Sequence, residues 1–240
     1  MPVHLLGDDL SFPSPELATP EGVLAVGDDL RPERLLAAYS QGVFPWPVRG
    51  FPLLWFCPDP RFVLPLDDVH LGRTMKRAVR RSDLTIRFDT AFGEVIDRCA
   101  HAPRPGQDGT WITTDLRNAF VRLHQLGFAH SVEAWRGDEL VGGLYGVALG
   151  SIFFGESMFA RTADASKVAF VTLLGQLREW GFDLVDCQVE TEHLARFGAR
   201  DWPRARFLAQ VARSIQAPTR RGPWPPPLGV NAAVERLTRG

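Results

Sequence analysis

The stretch from Gly142 to Phe159 constrains this chain more than any other. Gly142-Gly143-Leu144-Tyr145-Gly146-Val147 reads as one extended run, and Phe153-Phe154-Gly155-Glu156-Ser157-Met158-Phe159 as a second, joined by a turn at Leu149-Gly150-Ser151. Glu156 is the one carboxylate in an otherwise apolar, aromatic run. Carboxylates are rarely buried without a partner, and glycines in a strand let a backbone or ligand come close. The pair of runs therefore predicts the wall of an apolar pocket with one acidic group in it. Such a site suits a ligand that joins an apolar side chain to a cationic or amine group.

The rest of the chain supplies a setting for that pocket. At 240 residues it suits one large domain, or one domain with a smaller companion. Apolar and charged fractions of 45% and 23% are those of an ordinary soluble globular protein. No apolar run approaches the roughly 18 residues of a membrane span, and the N-terminus lacks the basic and apolar regions of a signal peptide. Cys57, Cys99 and Cys187 are odd in number and far apart, so neither a disulfide framework nor a CxxC pair is expected, and a reducing cytoplasm is. A net charge of −1 argues against a protein that coats nucleic acid through bulk charge. The distribution is less even. Residues 1–30 carry acids and no Lys or Arg, whereas residues 73–81 hold Arg73, Lys76, Arg77, Arg80 and Arg81. Guanidinium groups suit phosphate.

Helical spacing predicts helices over 32–40, 68–82, 91–100, 114–126, 165–181, 191–197 and 203–215. Strands are predicted at 53–56, 84–88, 129–135, 139–147, around Phe154 and at 184–189. Residues 11–30, 43–47 and 101–109 read as loops, and the proline-rich tail 218–229 as a surface-hugging or disordered segment. This order predicts a mixed α/β (α+β) fold with a mostly antiparallel sheet. The proline-rich stretch 45–60 joins a small N-terminal unit, residues 1–62, to a larger one, residues 63–240.

Several motifs occur in a fixed order: Glu-Gly-Val-Leu-Ala-Val-Gly-Asp-Asp-Leu (21–30), Gly-Val-Phe-Pro-Trp (42–46), Trp-Phe-Cys-Pro-Asp-Pro-Arg (55–61), Gly-Thr-Trp-Ile (109–112), His-Ser-Val-Glu (130–133), Gly-Gly-Leu-Tyr-Gly-Val (142–147), Phe-Gly-Glu-Ser-Met-Phe (154–159), Ala-Ser-Lys (165–167) and Asp-Cys-Gln (186–188). Over about residues 11–210 the chain strongly resembles the bacterial leucyl/phenylalanyl-tRNA–protein transferases. The resemblance implies transfer of Leu or Phe, less readily Met, from aminoacyl-tRNA to the N-terminal Arg or Lys of a protein, which marks it for N-degron proteolysis. It implies a GNAT-like acyltransferase domain behind a small N-terminal domain, with no metal or coenzyme. Carried over position by position, it implies catalytic roles for Asp186, Gln188 and Glu156. The aminoacyl pocket would comprise Trp46, Trp111, Leu144, Phe153 and Leu173.

The residues fit that chemistry. An aminoacyl ester is already activated, so an enzyme has mainly to position two substrates. An α-amine with a pKa of roughly 7.7–8.0 is partly neutral near neutral pH. Asp186 and Gln188 lie two apart on one predicted strand and should face the same way. Gln188 would accept from the amine through its carbonyl while Asp186 polarises its NH2 group. Glu156 would read cationic groups where the substrates meet, or else form a structural ion pair with Arg161 or Lys167. The helix with Arg73, Lys76, Arg77, Arg80 and Arg81 would grip acceptor-stem phosphates, with about three of the five in contact because five cations around a helix should not all face one way. Cys187 is expected in the core, where free cysteine is commonly inert. Two alternatives stay open at this point: a coenzyme-A-dependent acetyltransferase, disfavoured by the absence of glycine in 159–167, and a non-catalytic RNA-binding protein, which leaves Glu156, Asp186 and Gln188 without a role.

Overall fold

The structure, a computed structural model, describes residues 3–103 and 110–238. In chain order the first part holds β1 (His4–Leu5), β2 (Val23–Val26), α1 (Pro32–Tyr39), β3 (Phe44–Trp46), β4 (Leu54–Phe56), β5 (Arg61–Pro65), α2 (Arg73–Arg80), β6 (Thr85–Phe88) and α3 (Phe92–Ala100). There follow α4 (Thr114–Gln125), β7 (Ala129–Arg136), β8 (Glu139–Leu149), β9 (Ile152–Ala160), α5 (Ala165–Glu179), β10 (Leu184–Gln188), α6 (Glu192–Ala195), β11 (Arg200–Trp202), α7 (Arg204–Ser214) and α8 (Val230–Thr238).

The strands form a small sheet of order β1-β2-β4-β3 and a seven-stranded sheet of order β11-β5-β10-β9-β8-β7-β6. In the larger sheet only β9 and β10 pair in parallel; the other pairs are antiparallel. The expected mixed α/β fold with a mostly antiparallel sheet is what the chain adopts. The glycine-rich runs are the β8–β9 hairpin, turning at Gly150 as expected. Phe92, Val95, Ile96 and Cys99 are buried on α3, as its spacing requires. The small sheet is not a detached unit: Tyr39, Phe44 and Trp55 share one apolar core with Val63, Tyr145 and Phe154.

Proline accounts for most departures from the sequence reading. Residues 43–47 read as a loop, yet Phe44–Trp46 is a strand. It lies at the edge of its sheet, where Pro45 costs no interior ladder bond. The short run between Pro60 and Pro65 carries no strand signal of its own, but β5 is interior to the large sheet, between β11 and β10. The cap of α4 is Thr113, whose hydroxyl accepts from the Leu116 N–H at 3.2 Å. Helix α2 begins at Arg73, not near Asp68. Of the predicted loop 101–109, and of the motif at 109–112, residues 104–109 lie outside the described residues.

The tail is ordered and anchored. Trp224 is buried, and α8 packs Ala233 and Val234 into the core. Gly175 of α5 makes this contact possible, because a Cβ there would lie 2.6 Å from Ala233. Residues 218–229 hug the surface as expected, with Trp224 as the one of them that is buried, and the chain beyond them returns to the core as α8.

Candidate active site

The two parallel strands part company at the site. β9 and β10 pair over three positions, ending at Phe154 opposite Asp186. Beyond them the register of β10 against β5 slips, and Gln188 takes a left-handed backbone conformation with φ of 63°. Non-glycine residues rarely adopt that conformation, and it costs energy that surrounding structure must offset. It turns the Gln188 side chain across the gap toward Glu156 of β9. The Gln188 amide Nε2 donates to Glu156 Oε1 at 2.8 Å, and the Tyr39 hydroxyl, at the end of α1, donates to the same oxygen at 2.7 Å.

Glu156 is deeply buried, and burial pushes its carboxyl up to about 8; the hydrogen bonds from Tyr39 and Gln188 pull the other way. It is not part of an ion pair with the cations the sequence offered. Arg161 pairs with Glu139 at 3.5 Å and Lys167 with Asp164 at 2.6 Å. Both donors fall on Oε1. Glu156 Oε2 and Gln188 Oε1 have no donor among the described residues, and both residues line the same cavity.

Asp186 is placed differently from the expectation that it would polarise the Gln188 amide. The bulge breaks the regular strand alternation, and Asp186 Oδ1 instead accepts the Gln188 backbone N–H at 2.9 Å. Its carboxylate is held at two points by Arg61 of β5, with Nε to Oδ1 at 2.8 Å and Nη2 to Oδ2 at 2.6 Å. Both side chains are fully buried. The Arg61 guanidinium also lies between the rings of Phe44 and Phe207, 4.6 and 4.5 Å from their centroids. Asp186 thus sets the backbone turn that presents Gln188, and Arg61 holds Asp186.

Beside these groups lies a cavity of about 690 Å³. Four of the five residues expected to form an aminoacyl pocket line it: Trp46, Trp111, Leu144 and Phe153. The rings of Trp46 and Trp111 lie 5.8 Å apart. Glu156, Asp186 and Gln188 line the same space. Leu173 does not; it is fully buried on α5 within the core. Cys187 sits in that core at the cavity's edge, where burial pushes its thiol far up, so little thiolate forms.

The five cations of the basic helix gather on one side. Spacing of i, i+3, i+4, i+7 and i+8 from Arg73 keeps them within one arc of the helix, contrary to the expectation that they would be spread around it. Arg73, Lys76, Arg77, Arg80 and Arg81 line one shallow hollow of about 400 Å³. None of them forms an ion pair with an acid among the described residues.

Sequence reasoning did not single out two residues of this site. Tyr39 is one residue within the predicted helix 32–40, with nothing in the sequence to mark it as a partner of Glu156. Arg61 was visible as a lone cation opening the apolar run Phe62-Val63-Leu64, a pattern that signals a buried, paired charge.

Comparison with known proteins fits this geometry. The family model described as "Leucyl/phenylalanyl-tRNA protein transferase" matches residues 63–212, and the one for that family's N-terminal domain matches residues 28–59. The chain is 60% identical over 226 residues to the leucyl/phenylalanyl-tRNA–protein transferase of Myxococcus xanthus, covering 93% of this chain and 97% of that one. It is 58% identical to the same-named protein of Anaeromyxobacter sp. strain K, over 93% and 96% of the two chains. With that of Stutzerimonas stutzeri it shares 58% identity over 88% and 94%. Among solved structures, a conserved protein of unknown function from Staphylococcus epidermidis aligns over 75% of this chain and 68% of its own at 10% identity, with a TM-score of 0.42, a likeness too distant to bear on the fold. On these matches the chain belongs to the leucyl/phenylalanyl-tRNA–protein transferase family.

Proposed function

We infer that this chain transfers Leu or Phe, less readily Met, from an aminoacyl-tRNA to the N-terminal Arg or Lys of an acceptor protein, marking the acceptor for N-degron proteolysis. One observation carries the reading to specific residues. Two acceptor oxygens that receive no donor among the described residues, Glu156 Oε2 and Gln188 Oε1, belong to residues on the same cavity as Trp46, Trp111, Leu144 and Phe153. An apolar side chain and an amine can therefore be held side by side. The cavity volume is that of an ordinary small-ligand site.

The chemistry follows from protonation. The ammonium form of the acceptor amine docks against the ionised form of Glu156. A buried carboxyl near 8 matches an α-amine of roughly 7.7–8.0, so one proton passes between them at little cost. Gln188 Oε1 accepts a remaining N–H and aims the nitrogen lone pair. The neutral amine attacks the ester carbonyl, the carbon–nitrogen bond forms, and the bond to the ribose oxygen breaks. A second amine proton goes to that leaving oxygen. Orientation does most of the work, because the ester is activated beforehand. Asp186 and Arg61 position Gln188.

The hollow on α2 receives acceptor-stem phosphates in this reading, through sequence-independent, salt-sensitive contacts. The large sheet is GNAT-like, a reading supported by the antiparallel run β6 to β9 followed by the parallel strand β10. Residues 1–62 are the small N-terminal domain and 63–240 the catalytic one, a division near which the two family matches also part. Three buried cysteines, none in a disulfide among the described residues, favour the cytoplasm as the place of action.

The test is transfer of labelled Leu from charged tRNA to a peptide beginning with Arg, beside the same peptide beginning with Ala. Transfer to the Arg peptide alone is expected. No transfer with Leu, Phe or Met overturns the reading.

A further inference from the structure

The proline-rich tail does more than cover the core. It carries Trp224 to the rear of the cavity wall. The Trp224 ring stacks on His130 with centroids 3.8 Å apart and planes 8° apart, and its other aromatic neighbours are Phe88, Trp180 and Phe153. Phe153 lies 6.0 Å from it and faces the cavity, which Trp224 itself does not reach. Trp224 and Phe153 share one apolar core.

The placement of Trp224 is fixed by polar groups as well as by packing. Asp89 Oδ2 accepts the Trp224 backbone N–H at 2.7 Å and is 2.8 Å from His130 Nδ1. Asp89 Oδ1 accepts the Ser131 N–H at 2.9 Å. The indole Nε1 donates to the Arg220 carbonyl at 3.1 Å. On either side the tail is tied down by Gly222 N–H to Gly127 O at 3.0 Å and by Leu228 N–H to Gln176 Oε1 at 2.7 Å. A tail held only to cover apolar surface needs no such anchoring at one residue.

Phe153 is packed closely on its sheet side too. A Cβ at Gly146 would meet Phe153 Cζ at 2.6 Å, so that glycine leaves the room the ring occupies. With Gly146 on β8 and Trp224 in the tail, the ring has a defined position, and that position is a limit of the cavity.

We propose that Trp224 is a positioning residue that sets substrate preference: by backing Phe153 it fixes the depth of the apolar cavity and so the balance between Leu and Phe side chains. The inference rests on the aminoacyl-pocket reading above. A single methylene of fit in an apolar pocket changes discrimination by roughly ten- to two-hundredfold. A modest retreat of one ring therefore reads out as a changed ratio, where a merely structural residue changes both rates together.

The experiment compares kcat/KM for Leu-tRNA and for Phe-tRNA with one Arg-initial peptide, in the wild-type protein, Trp224→Ala and Phe153→Ala. Trp224→Ala lets Phe153 move back, deepens the cavity and favours the longer aromatic side chain. The Leu-to-Phe ratio is expected to fall about tenfold. An unchanged ratio, whether the two rates are kept or drop by one factor, overturns the inference. Should Trp224→Ala not fold, Trp224→Leu is read by the same ratio and the same criterion. A Phe153→Ala protein with an unchanged ratio overturns the pocket reading itself; a ratio that shifts in Phe153→Ala but not in the Trp224 variants overturns only the role of Trp224.

Discussion

Arg61 and Asp186 hold each other in a two-point ion pair from which solvent is wholly excluded. The carboxylate that strand alternation assigned to Gln188's amide is thereby engaged elsewhere, and acts on Gln188 through its backbone N–H. Removing one partner of a buried pair leaves an uncompensated charge and costs about 3–5 kcal/mol. Arg61→Ala should therefore lower the stability of the whole protein by that amount, read as a shift in denaturant midpoint without a change in slope. A loss of activity with unchanged stability would instead mean that Arg61 touches substrate.

Tyr39 reaches Glu156 from the end of α1, and its hydroxyl favours the ionised carboxylate. Tyr39→Phe deletes that donor with little change of shape. Glu156 should then hold its proton to still higher pH, so the acid limb of the kcat/KM profile moves up. The stability cost is expected at about 1–3 kcal/mol, the range for an unmet buried hydrogen bond. An acid limb that stays in place would show that Tyr39 only fills space.

The α2 hollow predicts a selective defect. Replacing Arg77, Arg80 and Arg81 with Ala should raise KM for charged tRNA and leave KM for the peptide nearly unchanged. It should also flatten the dependence of log affinity for tRNA on log salt by roughly 0.7–0.9 for each phosphate no longer neutralised. An unchanged salt slope, measured by titration at several ionic strengths, would remove α2 from the tRNA path.

The site's outline is readable from sequence because its signals are local. Alternation and glycines mark the β8–β9 hairpin, and a lone acid in an apolar run marks Glu156. The partners of that acid are hidden, because they are set by tertiary contact: Tyr39 lies 117 positions from Glu156 and Arg61 lies 125 from Asp186. The orientation of Asp186 escapes the period of two because a bulge and one left-handed residue override it. Strands β3 and β5 are masked by prolines, which punctuate a short strand without preventing it at an edge or an end, as Pro45 and Pro65 do. The tail's proline-rich composition leaves a surface-hugging and a disordered segment both open, and the choice between them rests on the Asp89 anchor of Trp224, a tertiary contact.

If Glu156 takes the proton of the acceptor amine, as proposed, the pH dependence of kcat/KM records that transfer. The productive pair shares one proton between a carboxyl near 8 and an amine of roughly 7.7–8.0. Below that range both groups hold their protons, and Glu156 is a neutral acid that cannot pair with the ammonium. Above it both have lost them. The wild-type profile should therefore be bell-shaped with its maximum near pH 8. Glu156→Gln cannot take the proton, so its profile should be lower and should rise with the amine's own ionisation to a plateau. Bell-shaped profiles of the same width and centre in both proteins would mean that Glu156 takes no proton from the amine.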